Sequence, residues 1–250
     1  MSCVTYGNSN QVVNVTYCYE NKPLLPHFLG SGPDVPMQHP GPSVEILQHL
    51  EKLTPNVKIT FVRFPWKRCL NDLQTGKVDA VIGSYNKLRE QIGRYPKTKK
   101  GEIDTARNFS TTSSCLLYPE NDIVWDGHRL LFEKPMSMSV PSGYGVITDM
   151  KRKGFDVYQV PSSAKAHELL FSGRVGASLS NCFLENLPVG FVQNTTPINQ
   201  STGYLLFSHQ FYQRNSNLAE TLWHNITLIN RQDYYKRYRE SNLNNIAGEN

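Results

Sequence analysis

Along this chain the apolar positions switch between a period of two and a period of three to four, and each switch marks an element. Residues 1 to 11 are polar and aperiodic and predict a frayed start. From Val12 the run VVNVTYCY is β-branched and aromatic and predicts a strand, closed by the loop signal Glu20-Asn21-Lys22-Pro23. The Gly and Pro cluster from Gly30 to Pro42 reads as loop. Ser43 is then expected to cap a helix, because Val44, Ile46, Leu47, Leu50 and Leu53 recur at helical spacing. Val57, Ile59 and Phe61 alternate as a half-buried strand. Pro65 in a first turn, Trp66, Leu70 and Leu73 on one face and Gly76 as the stop predict a second helix. Val78 to Ile82 follows as a short buried strand, so strands and helices alternate as in open α/β folds.

A similar passage comes later in the chain. Ser137 to Val140 predicts a strand, Gly143-Tyr144-Gly145 a turn, Val146, Ile147 and Met150 a helix face, and Val157 to Val160 a strand. Ser162 or Ser163 caps the next helix, which carries Ala166, Leu169 and Leu170; Gly173 stops it, and Val175 to Leu179 is a strand. The two passages share Leu-x-x-Gly-Lys/Arg-Val-x-Ala at an offset of 97 residues, from Leu73 to Leu170 and from Gly76 to Gly173. Two lobes with one local plan are therefore expected. After a polar stretch to Gln200, Tyr204 to Phe207 predicts a strand. Leu218, Leu222, Trp223, Ile226 and Ile229 predict a helix, and Asp233 to Arg239 a further helical end. Those last elements have no copy in the second passage and are expected to sit on the first lobe, so that the chain crosses between lobes twice.

Composition narrows the function classes. The 250 residues suffice for one large domain or two lobes with real cores. No window reaches the roughly 18 consecutive apolar residues of a membrane span, and no charged-then-apolar leader opens the chain. The net charge of +5 is spread thinly, and its short basic runs carry no interleaved aromatics, so no nucleic-acid partner is expected. The five cysteines, Cys3, Cys18, Cys69, Cys115 and Cys182, form no CxxC pair and predict no zinc site; an odd count neither demands nor excludes a bridge. There is no GxSxG elbow, no HExxH and no Walker sequence, so neither a catalytic residue, a metal nor a cofactor is expected.

Two segments carry candidate binding chemistry. The strand ending at Ile82 opens into Gly83-Ser84-Tyr85-Asn86, with Arg89 close behind. Hydroxyls and backbone N–H groups just past a strand end, followed by a planar guanidinium, suit an anionic group; a surface ion pair between Arg89 and Glu90 or a neighbour is the plainer alternative. In the second passage the turn Ser142-Gly143-Tyr144-Gly145 precedes a helix and could present N–H groups to a carboxylate, or be simply a tight turn.

The run FPWKRCLNDLQTGKVDAVIGSYNKLREQIGRYP resembles bacterial extracellular solute-binding protein family 3, the amino-acid-binding receptors of ABC transporters. Looser similarity extends to VNVTYCYENKPLLPHF, to Gly41 through Leu47, to Asn108-Phe109-Ser110 and to Leu169 through Val175, about 190 residues in outline. The resemblance implies the type II periplasmic binding protein fold: two open α/β sheets joined by a two-strand hinge, with residues 12–114 plus 203–250 as one lobe and 115–202 as the other. It implies that Arg89 binds a ligand carboxylate, with Ser84 and Tyr85 just ahead of it. Tyr19 matches the aromatic after the first strand, and Ser142, Gly143 and Tyr144 match the second lobe's helix-start loop. Trp66 is a further candidate for the aromatic wall, and Ser163 for the second lobe's share of the site. Two departures stand out. The gap from Asp79 to Arg89 is about two residues shorter than usual in the family, and the aspartate that binds a ligand ammonium falls on Asn181. A neutral amide supplies no charge to an ammonium, which points to a ligand without an α-amino group.

The function this implies is extracytoplasmic binding of a small carboxylate-bearing solute for ABC transport, by hinge closure of a monomer that docks on a permease. A secretion signal would have been removed and the compartment would be periplasmic. Two alternatives share the fold: a ligand-sensing input domain or receptor for a membrane signalling protein, and a cyclohexadienyl-dehydratase-like enzyme, for which Glu20 and Glu185 are the carboxylates on offer.

Overall fold

The computed structural model describes residues 11–122, 125–126, 129–132, 135–182 and 187–238. In the first lobe β1 (Val13–Glu20) is central because both its faces are apolar. Val15, Tyr17 and Tyr19 pack on one side against Val44, Ile46, Leu47 and Leu50 of α1 (Pro42–Leu53). The alternate residue Cys18 faces the other side, where Cys69 and Leu73 of α2 (Trp66–Gln74) cover it. β2 (Val57–Phe64) and β3 (Ala80–Ser84) flank β1 in parallel.

β4 (Ser110–Pro119) then leaves for the second lobe, which holds β5 (Ser137–Pro141), α3 (Ile147–Arg152), β6 (Asp156–Val160), α4 (Ser163–Phe171), β7 (Ala177–Asn181) and β8 (Phe191–Gln193). The chain returns along β9 (Asn199–Phe207) to α5 (His209–Arg214) and α6 (Ser216–Thr227), and residues 231–238 form a last helix. Strand order is β2-β1-β3-β9-β4-β7-β5-β6, with β8 paired to β4. β4 and β9 are the two joining strands: they pair with each other over residues 110–114 and 199–203. Beyond that ladder β4 turns to β7 and β9 to β3. The two open sheets therefore form one uninterrupted hydrogen-bonded ladder.

The repeated sequence signature has a conformational counterpart. Gly76 and Gly173 have φ of 72° and 70°, a left-handed conformation that glycine adopts without steric cost. In both copies the glycine N–H bonds the carbonyl three residues back, and the next N–H bonds the one five back: Gly76 to Leu73 and Lys77 to Asp72, Gly173 to Leu170 and Arg174 to Leu169. This is the Schellman stop. The shared Leu, Gly and basic residue are the parts that such a stop and its buried contact require.

One local expectation changes. α1 is capped by Gly41, with Pro42 in its first turn; the Ser43 hydroxyl lies instead 3.3 Å from Tyr235 Oη on the last helix. α5 was not foreseen, because His209–Arg214 has a single buried apolar residue, Phe211. Lys97 to Arg107 has a role in packing: Lys97 bridges to Ile103, and Arg107 reaches Glu220 of α6 at 2.5 Å. Four cysteines pair as Cys18–Cys69 and Cys115–Cys182, one bridge in each lobe; Cys3 lies outside the described residues.

Trp223 centres the first core. It is fully buried, its indole donates to the Leu205 carbonyl at 2.7 Å, and its ring lies against Phe207 and Tyr212. Trp223→Ala is expected to remove about 3–5 kcal/mol of stability, read as a lower urea midpoint; an unchanged midpoint would show that this core does not depend on it.

Candidate functional site

Strand carboxyl ends from both lobes converge on one cavity of about 380 Å³, within the ~300–1,000 Å³ of small-molecule sites. β1 supplies Tyr17, Tyr19 and Glu20. The segment following β1 brings Leu24, Leu25, His27 and Phe28, and the first turn of α2 places Trp66. Arg63, almost fully buried on β2, holds the post-β1 segment in place: its guanidinium donates to the Glu20, Gly30 and Asp34 carbonyls. The second lobe adds Tyr144, Gly145, Ser163, His167 and Asn181, and the joining strands add Ser110, Thr112, Ser114, Ser201 and Gly203.

Arg89 sits in a short 3₁₀ turn, Lys87–Gln91, whose first N–H groups are capped by Asn86: the Leu88 N–H bonds Asn86 Oδ1 at 2.9 Å. The turn directs the guanidinium back across the end of β3. Nη1 donates to the Ser84 carbonyl and hydroxyl at 2.9 and 3.2 Å, and Nη2 crosses between the lobes to the Gly143 carbonyl at 2.6 Å. The Trp66 indole donates to the same carbonyl at 3.3 Å, and its ring lies 5.7 Å from the guanidinium. Glu90, the alternative partner, is paired with Lys97 and Tyr85 instead. Arg89 is thus a buried group that joins the lobes, with the Tyr95 hydroxyl a further neighbour of its guanidinium.

Among the described residues Glu20 is the carboxyl group of the cavity. It is buried, and that burial raises its pKa; the Tyr144 hydroxyl donates to it from the opposite lobe at 3.2 Å. Burial, then the Glu20 charge, raises the Tyr144 pKa in turn, with Ser163 also bonded to that phenol. The Tyr19 hydroxyl is buried and has no hydrogen-bond partner among the described residues. His27 lies between two hydroxyls, Tyr235 at 3.0 Å from Nδ1 and Thr112 at 3.0 Å from Nε2. Burial lowers its pKa from 6.5 to about 4. His167, also lowered by burial, bonds the Leu179 carbonyl through Nε2 at 3.1 Å.

Seven of the residues singled out from sequence line this cavity: Arg89, Ser84, Tyr19, Trp66, Tyr144, Ser163 and Asn181. Three do not. Tyr85 turns outward to Glu90 at 3.0 Å and stands edge-on to Tyr95. Ser142 and Gly143 lie behind the wall, and the Ser142 and Tyr144 N–H groups are used by the Val160 and Pro141 carbonyls. Of the two readings of that loop, these bonds are those of a tight turn, and its Gly143 carbonyl is an acceptor for Arg89. Asn181 has a partner of its own: its amide donates to the Leu25 carbonyl across the cleft at 3.3 Å. A carboxylate could not make that bond, so an amide at 181 is explained without reference to the ligand's amino group. Sequence reasoning missed His27 and His167, which have no motif spacing, and weighed Glu20 only as an acid; the Pro-rich segment after a strand end was the available signal. Glu185 lies outside the described residues.

No family model and no curated protein matches the sequence. Solved structures do match the fold. An amino-acid ABC transporter substrate-binding protein of Streptococcus pneumoniae bound to L-arginine superposes with a TM-score of 0.67 at 14% identity, over 91% of this chain and 93% of that one. An ancestral arginine-binding protein bound to arginine gives 0.65 at 16%, over 91% and 97%. A binding component of an ABC transporter from Wolinella succinogenes complexed with lysine gives 0.65 at 15%, over 91% and 94%. The fold is that of the two-lobed solute-binding proteins. At these identities the likeness is one of architecture, and the expected type II fold is what the chain adopts.

The histidine state sets a pH dependence. The unfolded chain takes up a proton at this site below its ordinary 6.5, whereas folded His27 resists down to about 4. The stability it contributes is complete above that window and is lost as pH falls through it, about 3 kcal/mol in full. Glu20, with a raised pKa, acts with the opposite sign, its contribution shrinking as pH rises past the usual carboxylate range. Comparing wild type with His27→Gln isolates the histidine: the variant should lose less stability between pH 6.5 and 4. Parallel curves of urea midpoint against pH would refute the assignment.

Proposed function

We propose that the chain is an extracytoplasmic solute-binding protein that closes its lobes around a small amino acid or related organic acid and delivers it to an ABC permease. The observation that carries this reading is the set of side-chain contacts across one enclosed cavity: Arg89 and Trp66 to Gly143, Tyr144 to Glu20, and Asn181 to Leu25. A ligand that touches both walls favours the closed form by its differential affinity, which is how hinge closure is driven. The lobes divide at 114/115 and 202/203. Ser114 is where β4 exchanges β9 for β7, and Gly203 is where β9 exchanges β4 for β3, so bending there leaves both lobe sheets intact.

The ligand chemistry follows from the guanidinium and the carboxyl group on the wall. Arg89 can donate to a ligand carboxylate, and Glu20 faces an ammonium or other donor. Aromatic rings of Tyr17, Tyr19, Phe28 and Trp66 fill the space between with apolar surface. Among the described residues no helix is long and apolar enough to cross a membrane. The two disulfides suit an oxidising compartment, which supports a periplasmic location. A membrane signalling partner would use the same closure, and a permease is preferred because the solved structures of like fold come largely from transporters. The dehydratase-like reading keeps one observation, the buried Glu20 with its raised pKa, a state suited to a general acid.

A thermal-shift screen of amino acids, organic acids and small peptides tests the proposal, since a ligand of the native state must raise the melting temperature. Arginine and lysine, held by neighbours in fold, are the first probes. Arg89→Ala is expected to abolish binding while the protein stays folded. The Gly143 carbonyl keeps Trp66, and the Ser84 carbonyl keeps the Tyr95 hydroxyl at 2.9 Å, so neither acceptor is stranded. Unchanged calorimetric affinity would remove the carboxylate role. Turnover of a cyclic carboxylic acid that is lost in Glu20→Gln would replace transport with catalysis.

A further inference from the structure

The last helix stands behind the cavity, yet one of its side chains reaches the wall. Tyr235 Oη lies 3.0 Å from His27 Nδ1 and 3.3 Å from Ser43 Oγ, and His27 Nε2 lies 3.0 Å from Thr112 Oγ1. His27, Ser43 and Thr112 line the cavity, and Tyr235 does not. One phenol therefore ties together the segment after β1, the first turn of α1 and β4, a strand that joins the lobes. Its ring meets His27 edge-on, centroids 5.5 Å apart at 82°.

A neutral imidazole has one N–H and one lone pair, so the two neighbours of His27 cannot both be donors to it or both be acceptors. When Nδ1 accepts from the tyrosine, Nε2–H must donate to Thr112, and the threonine hydroxyl proton is then free to turn toward the cavity. With the opposite tautomer the threonine proton is held by the imidazole. The tautomer of His27 thus sets which hydroxyl face of Thr112 the ligand meets.

We propose that Tyr235 is a positioning residue of the ligand site, fixing the tautomer and ring plane of His27 and so the direction of the Thr112 hydroxyl at the cavity wall. The inference rests on the ligand-binding reading above but concerns a residue that touches no ligand. The fold supplies its own control. On the same helix Tyr234 bonds His49 Nδ1 at 2.7 Å, the same pair of groups, and neither residue lines the cavity. Arg231, one turn back, is the charged group nearest in effect to Tyr235 and is present in both arms of the comparison.

The test combines calorimetry, with L-arginine, L-lysine and L-glutamate as probes, with long-range proton–nitrogen NMR of the His27 ring. Wild type is expected to show a single His27 tautomer. Tyr235→Phe should show a mixture and bind the best probe about tenfold more weakly; Tyr234→Phe should bind as wild type does. Thr112→Val should reproduce the loss, and the double variant should lose no more than either single one, because both changes break one relay. Additive losses, equal losses in Tyr234→Phe and Tyr235→Phe, or an unaltered tautomer in Tyr235→Phe would each overturn the proposal. If none of the three probes binds the wild type, the wider thermal-shift screen decides the transport reading, and the tautomer comparison still decides the relay.

Discussion

The Gly143 carbonyl is the point on which the arrangement of the site turns. Two donors from the first lobe, the Arg89 guanidinium and the Trp66 indole, converge on this one acceptor of the second. Such convergence needs a bare backbone: a Cβ at Gly143 would lie 3.2 Å from the Trp66 ring, and one at Gly145 would lie 3.0 Å from the Ser84 hydroxyl. Trp66 opens α2 and Arg89 belongs to the Asn86-capped turn after β3, so the partners are fixed by two elements that pack on the same side of β1. The same loop carries Tyr144, whose hydroxyl donates to Glu20 across the cavity at 3.2 Å, so the Gly143 contact and the Tyr144 contact seat one loop against the first lobe.

Each wall is braced covalently close to its polar residues. Cys18 immediately precedes Tyr19 and Glu20, and its partner Cys69 lies one turn after Trp66, so the first bridge ties the β1 end of the cavity to the helix that carries the indole. Cys115 follows Ser114 and Cys182 follows Asn181, so the second bridge ties the crossing strand to the β7 end. A binding site on strand ends has few packing neighbours to hold its side chains, and a cross-link adjacent to them limits their freedom in the folded and unfolded chain alike.

Much of the fold was legible because its determinants are local. Alternation in VVNVTYCY marks β1, and Leu-x-x-Gly-Lys/Arg marks both helix stops through a backbone conformation that favours glycine. The site was legible only where a residue sits at a strand end or a helix start: Arg89, Ser84, Trp66 and Tyr144 are of that kind. Sequence left the Gly143 loop open between a carboxylate site and a plain tight turn, since it cannot say whether a turn shows its N–H or its carbonyl to the cleft. His27 was invisible for a different reason. Its partners, Thr112 and Tyr235, are 85 and 208 residues away in sequence, and nothing local distinguishes it from a surface histidine. Disulfide pairing was likewise hidden, because the bridged cysteines are 51 and 67 residues apart and meet only once the strands are paired.

The guanidinium and the carboxyl group on the wall act on closure in opposite directions. In the closed form Arg89 is hydrogen-bonded by protein carbonyls on both sides of the cleft, so it favours closure whether or not a ligand is bound. Glu20 and Tyr19 do the reverse. Closure leaves Glu20 buried with one hydroxyl donor and a raised pKa, and leaves the Tyr19 hydroxyl buried with no partner among the described residues. A buried polar group without its bonds costs roughly 1–3 kcal/mol, more if charged. An open, hydrated cleft does not carry that cost. A ligand that donates to Glu20 and bonds the Tyr19 hydroxyl removes it from the closed form alone, and this differential is what hinge closure requires. Selectivity for the closed state would then come from the carboxyl and phenol at the end of β1, while the arginine anchors the ligand carboxylate in either state.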